Sequence, residues 1–320
     1  MIITEELINS FIEFWKNQWL KDKTLYTYRY NFMAFYHWLK ANKGDKLEDI
    51  DKLTIEEYKA FLFSLWGSKY GRYWIQEHLS SWTINQKLVV IKKFLEFTNY
   101  VYDLWLDSNK VRLNRVKYRT WDYFTEDEIK EIIKAIQHTE KYKINQLRLK
   151  LIIAICFVSW ARLNEMRQIR IQDIYNWKCK ILWKWDKERW IFFNQDCINI
   201  LNEYIEEQKK DIPWLQKKLT RKNDYAVCSH GYENFWEMIG KQAITEMFKK
   251  LNKFLKRTKT ITCHTLRHSF ATKMVDSGTN VFYLKELMGH EKINTTAWYY
   301  HRNRNILATE QNKVFAEFSI

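Results

Sequence analysis

Imidazole and guanidinium stand three residues apart in His264-Thr-Leu-Arg267, at the start of a stretch with helical periodicity. On a helix that spacing puts both side chains on one face. An arginine fork binds two oxygens of a phosphate, and the histidine beside it donates to a third or moves a proton. Alone, the H-x-x-R pair is common, and a capping histidine next to a surface arginine would look the same. More residues capable of chemistry surround it. Downstream come Gly289-His290 and then Thr295-Thr296-Ala-Trp-Tyr299-Tyr300-His301. Upstream, Arg162 and Glu165 share the segment Ala-Arg-Leu-Asn-Glu, and Lys184 sits in Lys-Trp-Asp-Lys-Glu-Arg-Trp-Ile.

Taken in order, these segments resemble the tyrosine recombinases, the lambda-integrase and Xer-type enzymes. That family's pattern runs T-G-x-R-x-x-E, G-K-G-x-K-x-R in a β-hairpin, H-x-L-R-H-x-x-A-T, L-G-H and T-T-x-x-Y-x-H. Arg162, Lys184, His264, Arg267, His290 and Tyr299 fill its six functional positions in the family's order. The resemblance covers roughly 122–304, and the helical N-terminal region looks like the family's core-binding domain. It implies a 3′-phosphotyrosyl intermediate, resolved when a partner strand's 5′-hydroxyl attacks through a Holliday junction. The nucleophile is expected to be Tyr299, nine residues after His290 and three after Thr296. Adjacent Tyr300 points about 100° away on a helix, so one phenol alone can face the arginine pair.

Physical chemistry agrees with that assignment on its own terms. Cleaving a phosphodiester without a metal requires positive donors placed in advance around a pentavalent phosphorane, here two arginines and histidines. A phenol with a free pKa near 10 needs a neighbouring base. A lysine near the 5′-oxygen can protonate the leaving group. No carboxylate cluster suited to Mg²⁺ and no glycine-rich phosphate loop occurs, so no cofactor and no metal are implied. His268, one turn beyond His264, is expected to pack or hydrogen-bond behind the site.

The elements that must hold these groups follow from periodicity. Leu25, Tyr28, Phe32, Phe35, Tyr36 and Leu39 predict a helix over Thr24–Asn42. Thr54-Ile-Glu-Glu57 reads as a capping box opening a helix to about Trp66, and Thr83 starts another with Ile84, Leu88, Ile91 and Leu95 inward. No β-alternation is evident in residues 1–103, so an all-helical core-binding domain is expected. Residues 104–121 read as a basic linker, with Lys110, Arg112, Arg115, Lys117 and Arg119 as DNA-binding candidates. A solvated tether is the other reading of that run.

Residues 122–304 then make the catalytic domain, mostly helical with a small antiparallel β-sheet. It opens on the capping box Thr125-Glu-Asp-Glu128. Lys180–Trp183 and Trp190–Phe193 form two short strands, and helices follow near 196–209, 242–256, 265–277, 280–288 and 293–302. The fold class is mainly α. Residues 305–320 read as a short amphipathic tail. In the family such a tail docks on a neighbour, implying a homo-tetramer, or a hetero-tetramer with a paralogue, on two DNA sites; packing in cis or fraying is the alternative.

Composition narrows the class further. At 320 residues two domains are favoured, and 46% hydrophobic with 28% charged residues supports a buried core. Fifty-three Lys and Arg against 38 Asp and Glu leave +15, a charge suited to double-stranded DNA. The longest nearly unbroken apolar run, Leu151–Ala161, is short for a bilayer span, and MIITEELINS lacks a basic-then-apolar leader. The five cysteines form no C-x-x-C pair and no zinc spacing. A cytoplasmic, nucleoid-associated protein without a membrane partner is therefore expected.

Tryptophan replaces glycine where the family pattern turns. The chain has 16 Trp but 7 Gly and 1 Pro, and Trp160, Trp183 and Trp185 occupy family glycine positions. Either three aromatic residues pack there, or the source decodes UGA as glycine and the sequence writes it as tryptophan. TGG codons at 160, 183 and 185 would exclude the second reading. A type IB topoisomerase-like enzyme and a catalytically weak DNA-binding protein are the alternative functions. Without an extra N-terminal arm-binding domain, the family role expected is a Xer-type resolvase or a mobile-element integrase.

Overall fold

The structure is a computed structural model that describes residues 1–65, 69–70, 73–74, 79–103, 107–116, 122–182, 188–210, 225–230, 237–289 and 293–302. Two compact units divide the chain, Met1–Arg119 and Thr120–Ile320.

In the first unit, helices α1 (Glu5–Asn17), α2 (Asp22–Asn42), α3 (Lys52–Ser64) and α4 (Ser81–Tyr102) enclose an aromatic core. Phe11, Phe32, Phe35, Phe94 and Phe97 are fully buried, and Phe11 meets Phe94 edge-on at 5.3 Å. Side chains of this size each contribute roughly 1.5–3 kcal/mol when buried, alongside aliphatic residues such as Ile55, Leu62 and Leu88 in the same core. Both expected threonine starts move three residues upstream. Asp51 Oδ1 accepts the Thr54 N–H at 2.7 Å and Ser80 Oγ the Thr83 N–H at 3.2 Å, so Asp51 and Ser80 are the N-caps. Aspartate and serine satisfy a first-turn amide as well as threonine does, and here they come first.

Two departures from the sequence expectation concern this unit. A two-residue antiparallel hairpin, β1 (Lys69–Tyr70) and β2 (Tyr73–Trp74), interrupts the helices. Strands that short leave no alternation to read. The stretch 107–116, expected within the linker, is fastened to α4 rather than free. Asn85 Nδ2 donates to the Asn114 carbonyl at 2.8 Å, the Asn114 N–H donates to Asn85 Oδ1 at 2.7 Å, and Val111 is buried in the unit's core.

The second unit opens with α5 (Glu126–Thr139), where Thr125 and Glu128 form the expected reciprocal cap. The apolar α6 (Lys143–Val158) runs through its middle, packed against α8 (Gln195–Gln208) and α10 (Cys263–Asp276). The short α7 (Leu163–Gln168) follows α6 directly, and α9 (Lys241–Leu255) packs on α5. Strands β3 (Ile174–Tyr175), β4 (Lys178–Leu182) and β5 (Glu188–Phe192) form an antiparallel sheet in that order, with Ile181 opposite Arg189. β3 is two residues long and escaped the sequence reading. Helices α11 (Val281–Met288) and α12 (Ile293–Arg302) complete the site's frame, and α11 ends on Gly289 at φ 59°. Among the described residues, no helix is long and apolar enough to cross a membrane.

Candidate active site

Arg162 is the N-cap residue of α7, so its position is set by backbone as well as side chain. Its N–H donates to Glu165 Oε2 at 2.7 Å and its guanidinium to Glu165 Oε1 at 2.9 Å. Glu165 is buried, and a second arginine reaches it from β5: Arg189 Nη2 lies 2.5 Å from Oε2. Burial alone would raise the Glu165 pKa; Arg189 and then Arg162 outweigh it and hold the carboxyl below its usual value. The carboxylate stays charged and fixes both guanidinium planes.

Three arginines then converge on one helix end. Arg189 Nη1 donates to the Leu287 carbonyl at 2.6 Å, Arg267 Nη2 to Met288 at 2.5 Å, and Arg162 Nη2 to Gly289 at 3.2 Å. The last carbonyls of a helix lack intrahelical partners and carry the negative end of its dipole, so three cations there hold α11 in place.

Arg267, on α10, is 5% exposed, and its Nη1 donates to the Trp160 carbonyl. Burial, then Arg162 and Arg189, lowers its pKa, but a guanidinium remains charged near neutral pH. Arg162, His264 and Arg267 line one cleft of about 730 Å³, which continues past Lys241, Thr245 and Lys249 on α9. Apolar side chains such as Leu163, Ile244 and Phe248 share its lining with the cationic groups of Arg162, Arg267, Lys241 and Lys249.

Tyr299 enters from α12 and is 6% exposed. Its hydroxyl is hydrogen-bonded to His268 Nδ1, and His268 Nε2 lies 2.9 Å from His264 Nε2. His264 is exposed at the far end of this chain, while His268 is buried. Burial pushes the Tyr299 phenol up to about 12, with Arg267 opposing. Partial burial, then Arg267 and Arg162, lowers the His264 pKa, keeping it neutral at neutral pH. Tyr300 turns away: its hydroxyl donates to the Thr279 carbonyl.

Four of the six expected site residues, Arg162, His264, Arg267 and Tyr299, therefore come together. Lys184 and His290 lie outside the described residues, as do Trp183, Trp185, Lys117, Arg119 and the 305–320 tail. Lys110, Arg112 and Arg115 are exposed in the first unit. Sequence reasoning gave no role to Arg189, although the hairpin pattern ends on that arginine, and it placed His268 behind the site without a partner.

Trp160 departs most from its surroundings. It has φ 46°, is buried against Phe270 at 4.8 Å and Phe192 at 6.0 Å, and its indole N–H has no hydrogen-bond partner among the described residues.

Comparison with known proteins places these features in context. The model of the phage integrase family matches residues 122–305. Tyrosine recombinase XerD of Staphylococcus saprophyticus is 27% identical over 320 residues, covering 99% of this chain and 98% of the relative. Tyrosine recombinase XerC of Lactobacillus delbrueckii subsp. bulgaricus is 25% identical over 317 residues, covering 97% and 98%. The Tn1549 transposon integrase, solved in complex with circular intermediate DNA, shares the fold with a TM-score of 0.68 at 17% identity, covering 96% of this chain and 98% of that one.

Proposed function

The chain belongs to the phage integrase family, the tyrosine site-specific recombinases, and from that membership we infer a Xer-type enzyme that cuts and rejoins duplex DNA through Tyr299. One observation carries the assignment of the nucleophile. The Tyr299 hydroxyl is hydrogen-bonded into a histidine pair whose outer member shares a cleft with Arg162 and Arg267.

In the proposed reaction, Arg162 and Arg267 bind the non-bridging oxygens of the scissile phosphate. Their charge counts most in the pentavalent transition state, where preorganised donors lower the barrier by several kcal/mol, about 2.7–4 for each. Tyr299 Oη bonds to phosphorus as the bond to the 5′-oxygen breaks, leaving a 3′-phosphotyrosyl ester. Lys184 protonates the departing 5′-oxygen, and His290 adds a further hydrogen-bond donor to the phosphate. Attack by a partner strand's 5′-hydroxyl reverses these steps, and two successive exchanges pass through a Holliday junction. The first unit and Lys110, Arg112, Arg115, Lys117 and Arg119 supply phosphate contacts, and the 305–320 tail docks on a neighbouring protomer in a tetramer around two sites.

A plasmid carrying two copies of the cognate site tests this reading. Site-dependent production of two smaller circles, lost in Tyr299→Phe, is expected. Relaxed topoisomers without recombinant circles would assign a nicking-closing enzyme, and binding without any covalent adduct would reject both. Phage or transposon genes beside this one would favour the integrase role over the resolvase.

A further inference from the structure

We propose that His268 is a proton relay, carrying the Tyr299 hydroxyl proton through its ring to His264. The inference rests on Tyr299 being the nucleophile and deepens that reading.

Position is the first argument. His264 and His268 are four residues apart on α10, hence on one face, and their rings cross at 75° with centroids 4.2 Å apart. His268 stands between Tyr299 and His264: Nδ1 takes the phenol on one side, and Nε2 meets His264 Nε2 at 2.9 Å on the other. A residue expected to sit behind the site is thus bonded to the reacting oxygen.

Proton counting is the second. A bond between two imidazole nitrogens needs one N–H, supplied by one ring only. If the phenol donates to His268 Nδ1, that nitrogen is bare, so His268 carries its proton on Nε2 and donates it to His264. His264 then carries its own proton on Nδ1. Every hydrogen bond runs outward, from the nucleophile to the exposed histidine.

The step balances on these atoms. As Tyr299 Oη bonds to phosphorus, its proton passes to His268 Nδ1 and the Nε2 proton of His268 passes to His264 Nε2. His268 ends neutral, in its other tautomer. His264 ends as an imidazolium at the cleft, opposite the negative charge gained by the phosphorane. When the 5′-hydroxyl attacks the phosphotyrosyl ester, the proton returns along the same path to the departing phenolate.

Electrostatics fit the direction. A buried phenol with its pKa near 12 does not ionise unaided, and a His264 whose pKa is lowered by partial desolvation and two arginines has room for a proton. Binding a phosphate anion beside it favours that protonated form.

Two measurements test the relay. Long-range ¹H–¹⁵N correlation spectra of the full-length DNA-free protein should show His268 as the Nε2–H tautomer and His264 as Nδ1–H. The opposite tautomer at His268 would overturn the proposal. For the reaction, a nicked suicide duplex is first selected from a randomised library by covalent capture with the unmodified protein. On that duplex, His268→Ala should form adduct about 10²-fold more slowly with DNA affinity unchanged, the usual scale of lost acid–base catalysis. Added imidazole should restore much of the rate. His268→Gln keeps a hydrogen bond to the phenol without relaying a proton, so it should stay slow. Near-normal adduct formation by His268→Gln would make His268 a positioning residue only and overturn the relay. If the unmodified protein captures no duplex, the recombinase reading itself fails, and the relay with it.

Discussion

Because the Arg267 guanidinium spans the carbonyls of Trp160 and Met288 while facing the cleft, its loss has two separable effects. Arg267→Ala should lower the stability of the second unit by about 1–3 kcal/mol for each buried carbonyl left unpaired. Per folded molecule, DNA affinity should stay within several-fold while cleavage falls about 10²–10³-fold, the scale of one preorganised donor. Thermal melts, filter binding and adduct kinetics on the same preparation check this. Equal losses of binding and cleavage would instead mark Arg267 as a positioning residue. At this scale the H-x-x-R pair was legible because its spacing in sequence is its spacing on a helix, whereas Tyr299 was expected from the resemblance to the family motif, not from helix geometry. Arg189 was not, since its partners Glu165 and Leu287 lie 24 and 98 residues away and meet it only through the packing of β5. Nor was the link from His268 to Tyr299, which joins α10 to α12.

Tryptophan at turns becomes a structural matter among the elements. Trp19 has φ 63° just beyond the end of α1, where its N–H bonds the Lys16 carbonyl at 3.0 Å and the next N–H bonds Trp15. Glycine is the usual residue at that position of a helix end. Asn176 and Trp177, at φ 45° and 65°, form the two-residue turn between β3 and β4. Positive φ at both central residues is the pattern for which Asn-Gly is preferred. Trp160 is the third left-handed tryptophan, at a family glycine position. Trp19 is 82% exposed and Trp177 47% exposed, so removing either indole sacrifices little packing. Trp19→Gly and Trp177→Gly should each stabilise the protein by about 1 kcal/mol, because a left-handed conformation costs a side chain about 1–2 kcal/mol that glycine escapes. Calorimetry reads the change, and a lower melting temperature in both variants would contradict it. TGA codons at 19, 160 and 177 would make glycine the residue in the living protein, and TGG codons would make these true strained tryptophans. Helix positions in both units were legible from apolar periodicity. Their starts were less so, because Asp51 and Ser80 are cap-forming residues three positions before the threonines and accept those threonines' own N–H groups, so the helices begin earlier.

For the whole molecule, two independently cored units and a net charge of +15 set the expectation for DNA binding. Each phosphate neutralised releases counterions, so log affinity should fall against log salt with a slope of about 0.9 per contact. Titrations between about 50 and 200 mM salt should show that steep fall, whereas a flat profile would reject DNA as the main partner. The mainly helical class could be read from the sequence. The three-arginine clamp on α11 could not, because it is assembled from α7, β5 and α10 at once. Everything proposed converges on one bond between protein and DNA. The most direct measurement traps the full-length protein on the nicked suicide duplex, digests the complex and identifies by mass spectrometry the peptide that carries nucleotide. The account predicts a 3′-nucleotide on Tyr299, adduct formation by Tyr300→Phe and none by Tyr299→Phe; nucleotide on Tyr300 would contradict it.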